Sequence, residues 1–283
     1  MKPNFLYIGA DKCGSTWIYK CLEAHPQVYV PVCKDLQFFD LYFDKGLKWY
    51  ESFFKNVPPQ CKAVGELSHN YLFSYQAAKR IKETLPEVKL ICCLRNPVER
   101  AFACYLYKIK EGNKVSFKEA MVNFPEVLEK SKYFRYLKTY FRLFDKKQLL
   151  ILFYEELKHN PHEFIKKIYD FINVNPAFKP YCIGKIILPG SRPRNYILAK
   201  LAHKGAILTR RLGFPNVVGI FNNSRLVFNL LYKPYVDTNR PKIDPNTEKE
   251  LYKFYEADIN ALEDLLKTSV PNSWRKYKSK RHL

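Results

Sequence analysis

No apolar run in this sequence is long enough to cross a bilayer; the longest, such as Leu90–Leu94 and Leu149–Phe153, fall far short of the roughly 18 residues a span requires. No secretory leader is expected, because Met1-Lys-Pro-Asn runs at once into the strand-like Phe5-Leu-Tyr-Ile8 without an apolar h-region. These absences give the expectation of a cytoplasmic chain. Its 8 cysteines include no CxxC pair and no zinc-like grouping with histidine, so reduced core thiols are expected. Acidic residues are scarce, 27 against 48 Lys and Arg, which leaves a formal charge of +21. The deficit is sharpest between Lys185 and Lys242, where Asp237 is the one acid. A polyanionic ligand, nucleic acid or an anionic membrane would each suit such a stretch.

The composition that is present, 47% apolar and 16% aromatic, excludes a disordered chain and supplies a large core. Short runs rich in β-branched and aromatic residues alternate with amphipathic stretches, the pattern of a parallel sheet covered by helices. Strands are predicted at Asn4 to Gly9, Gln27 to Val30, Ala63 to Glu66, Val88 to Leu94 and Leu149 to Tyr154. Helices are predicted at Ser15 to Ala24, Ser74 to Leu85, Pro97 to Lys110, Phe117 to Glu129, Tyr133 to Phe144 and Pro161 to Ile172. A last helix starts at Asp244-Pro245, with Leu251, Phe254, Ile259, Leu262 and Leu266 as its buried face. With no internal repeat and no Gly/Ser linker, the reading is one α/β domain over residues 1–283: a P-loop-like three-layer fold in which the basic stretch, about 180–243, is an elaboration.

The first strand leads into Gly9-Ala-Asp-Lys-Cys-Gly-Ser-Thr16 and then a helix. Strand, glycine loop and helix N-terminus together make an anion site, since unpaired N–H groups and the positive dipole end face one spot. The spacing follows the nucleotide-binding pattern G-x-x-x-x-G-K-[ST], except that Ser15 stands where the lysine belongs and the lysine is Lys12, inside the loop. A hydrolase needs that lysine at the helix start, so its displacement argues against ATP hydrolysis. Arg95 follows another strand, with Asn96 and Pro97 suited to open the next helix. Ligands of open α/β sheets lie beside the carboxyl ends of strands, which places Arg95 opposite the first loop.

Lys12-Cys-Gly-Ser-Thr-Trp17 and Leu94-Arg-Asn-Pro-Val-Glu-Arg-Ala101 together resemble the sulfotransferases that use 3′-phosphoadenosine-5′-phosphosulfate (PAPS), in particular their bacterial and heparan-type branch. Further stretches in matching order are similar to that family: Lys34-Asp-Leu-Gln-Phe-Phe-Asp40, Lys45-Gly-Leu-Lys-Trp-Tyr50, Gly65-Glu-Leu-Ser68 with Tyr71, Leu150–Leu157, Ser191-Arg-Pro-Arg-Asn195, and Pro245–Glu248 with Trp274. The resemblance implies that Lys12, Cys13, Gly14, Ser15, Thr16 and Trp17 hold the 5′-phosphosulfate, with Lys12 neutralising charge on the departing oxygen. Arg95 would take the 3′-phosphate, helped by Ser191, Arg192 and Arg194. PAPS is then the donor, PAP the product, and no metal is required. Where the family has a serine on the helix after the arginine, this chain has Ala103, which removes one donor to the phosphate.

An acceptor hydroxyl needs a base. The position of the family's base is Asp35 here, one methylene shorter than the usual glutamate, with Glu66 and His69 as reserves. Two other classes stay open at this point: a P-loop kinase or nucleotide hydrolase, and a non-catalytic binder of nucleic acid or anionic membrane built on Arg194 to Arg211. In that stretch Lys204 and Gly205 interrupt an otherwise helical spacing of Ile197, Leu198, Leu201 and Leu208, so an interfacial helix is not expected. No RNA-binding signature accompanies the basic residues, so nucleic acid is not expected as a partner, while peripheral membrane contact is left open. Nothing in the chain selects a glycan, a lipid or a small metabolite as acceptor.

Overall fold

The computed structural model describes residues 2–185, 187, 189–236 and 239–277. Its frame is a five-stranded sheet of β1 (Phe5–Gly9), β2 (Val28–Tyr29), β3 (Ala63–Leu67), β4 (Lys89–Leu94) and β5 (Leu149–Phe153), ordered β2-β3-β1-β4-β5. Every pairing in this sheet is parallel. All five residues of central β1 are buried, which explains why Phe-Leu-Tyr-Ile-Gly reads as a continuous apolar run rather than an alternating one. The chain fills the β3 side of β1 first and then crosses to β4. The topological switch therefore lies at β1, and its crevice opens where β1, β3 and β4 end.

Helices cover both faces: α1 (Ser15–Ala24), α2 (Gly46–Glu51), α3 (Tyr75–Thr84), α4 (Pro97–Lys110), α5 (Phe117–Asn123), α6 (Glu126–Glu129), α7 (Tyr133–Leu143), α8 (Tyr154–His159) and α9 (Pro161–Phe171). Their starts are written in side chains. Asn96 caps α4 by accepting from the N–H groups of Val98 and Glu99, with Pro97 at the first position. Asn160 with Pro161 does the same for α9. The single helix expected from Phe117 to Glu129 is instead two: Ser116 and Glu119 form a capping box that opens α5, and Pro125 separates it from α6.

Residues 191–234 fold as an antiparallel pair, β6 (Ser191–Pro193) with β7 (Tyr232–Pro234), enclosing three helices, α10 (Tyr196–Arg211), α11 (Pro215–Asn223) and α12 (Arg225–Leu231). The elaboration expected over 180–243 is thus a helical subassembly; its acid Asp237 lies outside the described residues. The chain then closes with α13 (Pro245–Leu266), capped by Asp244. Leu251, Tyr255, Ile259 and Leu262 form its buried face, while Phe254 is exposed, a correction to the face expected from the sequence. Tyr255 follows Leu251 by four residues, which keeps it in line where Phe254 falls to one side.

The expectation of eight reduced thiols also needs correction. Cys21, on the inner face of α1, forms a disulfide with Cys182, with Cα atoms 6.2 Å apart, a pairing more common in oxidising compartments than in the cytosol. The other six cysteines are free. The two cysteines are separated by 161 positions with no local signal for the pair; the fold brings the segment after α9 against α1, where Trp17 Nε1 donates to Cys182 O at 3.0 Å. Among the described residues, no helix is long and apolar enough to cross a membrane.

Candidate active site

At the end of β1 the chain turns through Gly9–Gly14 into α1. Gly14, at the helix N-cap, has φ +85, and a Cβ there would stand 2.9 Å from Leu157 Cδ2, so both backbone and neighbour require glycine. The first intrahelical bond of α1 is Ile18 N–H to Gly14 O, which leaves the N–H groups of Ser15, Thr16 and Trp17 without helical partners. Lys12 is also left-handed, at φ 62, a conformation that costs a lysine about 1–2 kcal/mol and marks a constrained loop.

A buried ion pair fixes this loop from below. Arg100, 0% exposed on α4, donates from Nη1 to Asp11 Oδ1 at 3.0 Å, from Nε to Ser131 Oγ, and from Nη2 to the carbonyls of Glu126 and Val127. Burial acts to raise the Asp11 pKa, but the Arg100 guanidinium, with Lys130 and Lys12 behind it, more than offsets this and holds the carboxyl well below the usual range. From the β4 side, Arg95 Nη1 donates to Lys12 O at 3.3 Å, while its Nε and Nη2 hold Glu99 Oε2. Arg95 and the loop, paired by expectation, are in direct contact.

The cations gather above the loop. Lys12 Nζ sits 3.0 Å from the centre of the Tyr107 ring on α4, and burial lowers its pKa. Lys34 Nζ donates to Ser15 Oγ at 2.8 Å. Arg210, from α10, donates to the carbonyls of Asp35 and Lys34 and so joins the basic subassembly to the site.

The remaining expected residues divide. Cys13 turns inward; its thiol donates to Asp11 O and burial pushes its pKa up to about 12, leaving only its backbone to the loop. Thr16 is half-buried at the start of α1. The Trp17 indole is taken into the core against Phe164, so a ligand at the loop meets its N–H and not its ring. Ala103 lies half-buried on α4, in line with Glu99 and Tyr107. Ser191 and Arg192 lie on β6, which packs against α4; Ser191 Oγ and Arg192 Nε are buried without a hydrogen-bond partner among the described residues. Two orphaned donors beside a cationic site are what an oxyanion ligand would satisfy. Arg194 instead turns to Asn229 O on α12, away from that pair.

Asp35 and His69 meet at the ends of β2's following segment and β3. His69 Nδ1 is 2.5 Å from Asp35 Oδ1, and the His69 N–H donates to the same oxygen at 3.2 Å. Burial alone would raise the Asp35 pKa; His69 and Lys34 together hold it far below the carboxylate range. Both side chains keep partial access to solvent, 15% for Asp35 and 22% for His69. Glu66 is different. It is 1% exposed, and its oxygens accept from Tyr71 and Tyr50 on one side and Ser68 on the other. Burial raises its pKa to about 7, against the pull of those hydroxyls. With both oxygens occupied inside the core, Glu66 holds Tyr50, Ser68 and Tyr71 together and does not reach the crevice as its place in the sequence had promised. Ser68 and Tyr71 then take up the backbone N–H groups of Gln37 and Phe38, which sets the Asp35 segment.

Four contributors were not singled out from the sequence. Lys34 and Arg100 stand within the quoted motifs, so their signal was present; Tyr107 and Arg210 had none, because each is defined by a partner far away in the chain.

Comparison with known proteins places this geometry. The sulfotransferase domain model matches residues 2–180. Among curated relatives, the membrane-associated sulfotransferase kil1 of Dictyostelium discoideum is 34% identical over 110 residues, 38% of this chain and 23% of that protein. The bifunctional heparan sulfate N-deacetylase/N-sulfotransferase 4 of Mus musculus is 27% identical over 202 residues, 62% of this chain and 23% of that protein. The chain thus spans less than a quarter of the length of these relatives. Among solved structures, a sulfotransferase from Alicyclobacillus acidocaldarius superposes with a TM-score of 0.71 at 22% identity, covering 98% of this chain and 100% of that one. A mouse sulfotransferase solved with PAP gives a TM-score of 0.51 at 14% identity, over 93% and 88%. The sheet order, the loop with its lysine at position 12 and the match over residues 2–180 agree: the chain belongs to the sulfotransferase family of enzymes.

Proposed function

We propose that this chain moves a sulfuryl group from PAPS to an acceptor hydroxyl. The observation that carries the reading is the loop between β1 and α1, whose unpaired N–H groups face Lys12, Lys34 and Arg95 from three different elements. The orphaned Ser191 and Arg192 donors give a second anionic group somewhere to bind, as a donor with two separate phosphate sites requires. In the transfer, the acceptor oxygen forms its bond to sulfur as the bond from sulfur to the 5′-phosphate oxygen breaks, and PAP leaves. The loop N–H groups and Lys12 take up the charge that gathers on that departing oxygen.

The acceptor's proton goes to the Asp35–His69 pair. Asp35, ionised at neutral pH, lies 2.5 Å from His69 Nδ1, a contact that orients the imidazole and leaves Nε2 as the ring nitrogen to accept. The base role first expected of Asp35 is thereby shared with its neighbour. The names of the heparan-type relatives make a polysaccharide the first acceptor to try.

The test combines ligand binding and turnover. PAP should raise the melting temperature, by the equivalent of about 2.7 kcal/mol at a hundredfold excess over Kd, and ATP with Mg²⁺ should do less. Asp35→Asn should lower turnover about 10²–10⁴-fold with PAP binding intact. Equal stabilisation by both nucleotides would return the chain to the P-loop kinases, and unchanged turnover would remove Asp35 from the proton path.

A further inference from the structure

Among the described residues, thirteen of the twenty-two exposed large apolar side chains lie between Ile197 and Val236. They are not scattered. Along α10 and its C-cap the outward row is Ile197, Leu201, Leu208 and Leu212, with Leu201 60% and Leu208 58% exposed. Lys204, three residues after Leu201 and four before Leu208, stands at the edge of this row, where its long apolar stem lets the ammonium reach aside, and the helix runs unbroken through Gly205. Phe214, Ile220 and Phe221 extend the apolar surface along α11, and Leu226 and Leu230, one turn apart, extend it along α12. From Tyr196 to Leu231 there is no aspartate or glutamate, while the exposed Lys200, Lys204, Arg211 and Arg225 supply four positive charges, Arg210 being turned to the site. Single exposed leucines need no explanation, but so many exposed apolar side chains on three consecutive, mutually packed helices do.

We propose that α10–α12 form a docking face for the surface of an anionic lipid bilayer, with the apolar rows entering the acyl boundary and the flanking Lys and Arg lying among the headgroups. The charge pattern selects this occupant. A second copy of the chain would bring four exposed cations against four with no acid on these helices to offset them. Nucleic acid would satisfy the cations and leave aliphatic Leu and Ile rows without a partner, since its sequence-independent binders use aromatic stacking. A bilayer carrying negative headgroups satisfies both parts of the face at once. The family match ends at residue 180, so nothing in it assigns this surface. Docking has a direct route to the site: Gly219 of α11 packs against the backbone of Val32 and Cys33, and Arg210 of α10 holds the carbonyls of Lys34 and Asp35. A docked chain would hold its donor loop close to the membrane surface.

The proposal stands apart from the donor chemistry, and its test reads membrane partition alone. The full chain is sedimented with vesicles of phosphatidylcholine and with vesicles containing about a third phosphatidylserine. Binding should be confined largely to the anionic vesicles and should weaken with salt. Leu201→Ser with Leu208→Ser should lower the partition coefficient at least about tenfold, through lost apolar burial, at an unchanged melting temperature. Lys204→Gln should lower it about fivefold. Three results would overturn the proposal: no sedimentation with anionic vesicles at low salt, equal partition of the leucine variant and the parent, or a concentration-dependent dimer in analytical ultracentrifugation that the leucine changes abolish. Binding of the parent to short DNA in preference to anionic vesicles would likewise assign the face to nucleic acid.

Discussion

The crevice at the end of β1 and the outer face of α10–α12 treat charge in opposite ways. Around the donor loop and the Asp35 segment, buried charges are answered by named partners: Arg100 by Asp11, Ser131 and two carbonyls, Asp35 by His69 and Lys34, Arg95 by Glu99. On the outer face, apolar side chains stand in water and the cations beside them have no acid within their own helices. A buried, satisfied network fixes geometry; a cationic apolar surface is complete only when something lies on it. The first arrangement suits a reaction, and the second is the one for which docking at a membrane is proposed.

The largest effect should come from cutting the crevice network at Arg100. Arg100→Ala strands the Asp11 carboxylate with no cation in contact, and loss of one partner of a buried pair costs about 3–5 kcal/mol. The sign of its pH dependence separates charge from packing. In the native chain Asp11 is held below the ordinary carboxylate range, so its contribution is complete above about pH 4 and is lost as pH falls through and below that value. In the variant the stranded carboxyl is raised instead, and its penalty grows as pH rises. Urea melts at pH 7 and pH 4.5 should therefore show a smaller deficit at the lower pH; an equal deficit at both would mean that Arg100 acts through packing alone.

A smaller effect is expected at Glu66, the carboxyl whose partners are hydroxyls and not cations. Its native pKa is about 7, above the unfolded value, so the native state holds the extra proton between about pH 4.5 and 7. That contribution is complete below the unfolded pKa and is lost as pH rises through 7, by up to about 3 kcal/mol. Glu66→Gln keeps a neutral hydrogen-bonding group in place and should flatten this part of the stability profile, read as the difference between parent and variant. An unchanged slope would move the titration to another buried acid, such as Asp40, whose pKa burial also raises to about 7.

The contrast between the two regions also separates what was legible in the sequence from what was not. β1, the glycine loop, α1 and the Asn96-Pro97 opening of α4 could be read because each rests on neighbours within about ten residues: turn glycines, caps and an apolar run. The five strands and the loop opposite Arg95 followed. Glu66 could not be read correctly, because its position at a strand end is the same whether the side chain enters the crevice or, as here, meets Tyr50 and Tyr71 in the core. Arg210 and the Cys21–Cys182 pair depend on contacts across 175 and 161 residues, for which local periodicity carries no information. The exposure of the α10–α12 side chains was not legible for a different reason: a string of residues shows helical spacing but not which side of a helix the rest of the fold leaves uncovered.

The smallest effect, and the most direct check of the comparison, is on stability at that face. Leu201 and Leu208 are more than half exposed, so Leu201→Ser with Leu208→Ser removes little native contact and should change the free energy of unfolding by no more than about 0.5 kcal/mol per site. A leucine inside the sheet, Leu90 at 0% exposure, should lose about 2–5 kcal/mol on truncation to alanine alone. Urea midpoints and slopes measured side by side decide the matter. A near-silent pair of surface changes that nonetheless reduces vesicle binding would show apolar side chains retained for contact with a partner and not for the fold. If the same pair instead cost several kcal/mol in the free protein, Leu201 and Leu208 would be covered in solution, α10 would be packed against another part of the molecule, and the division between a satisfied crevice and an unfinished surface would fail.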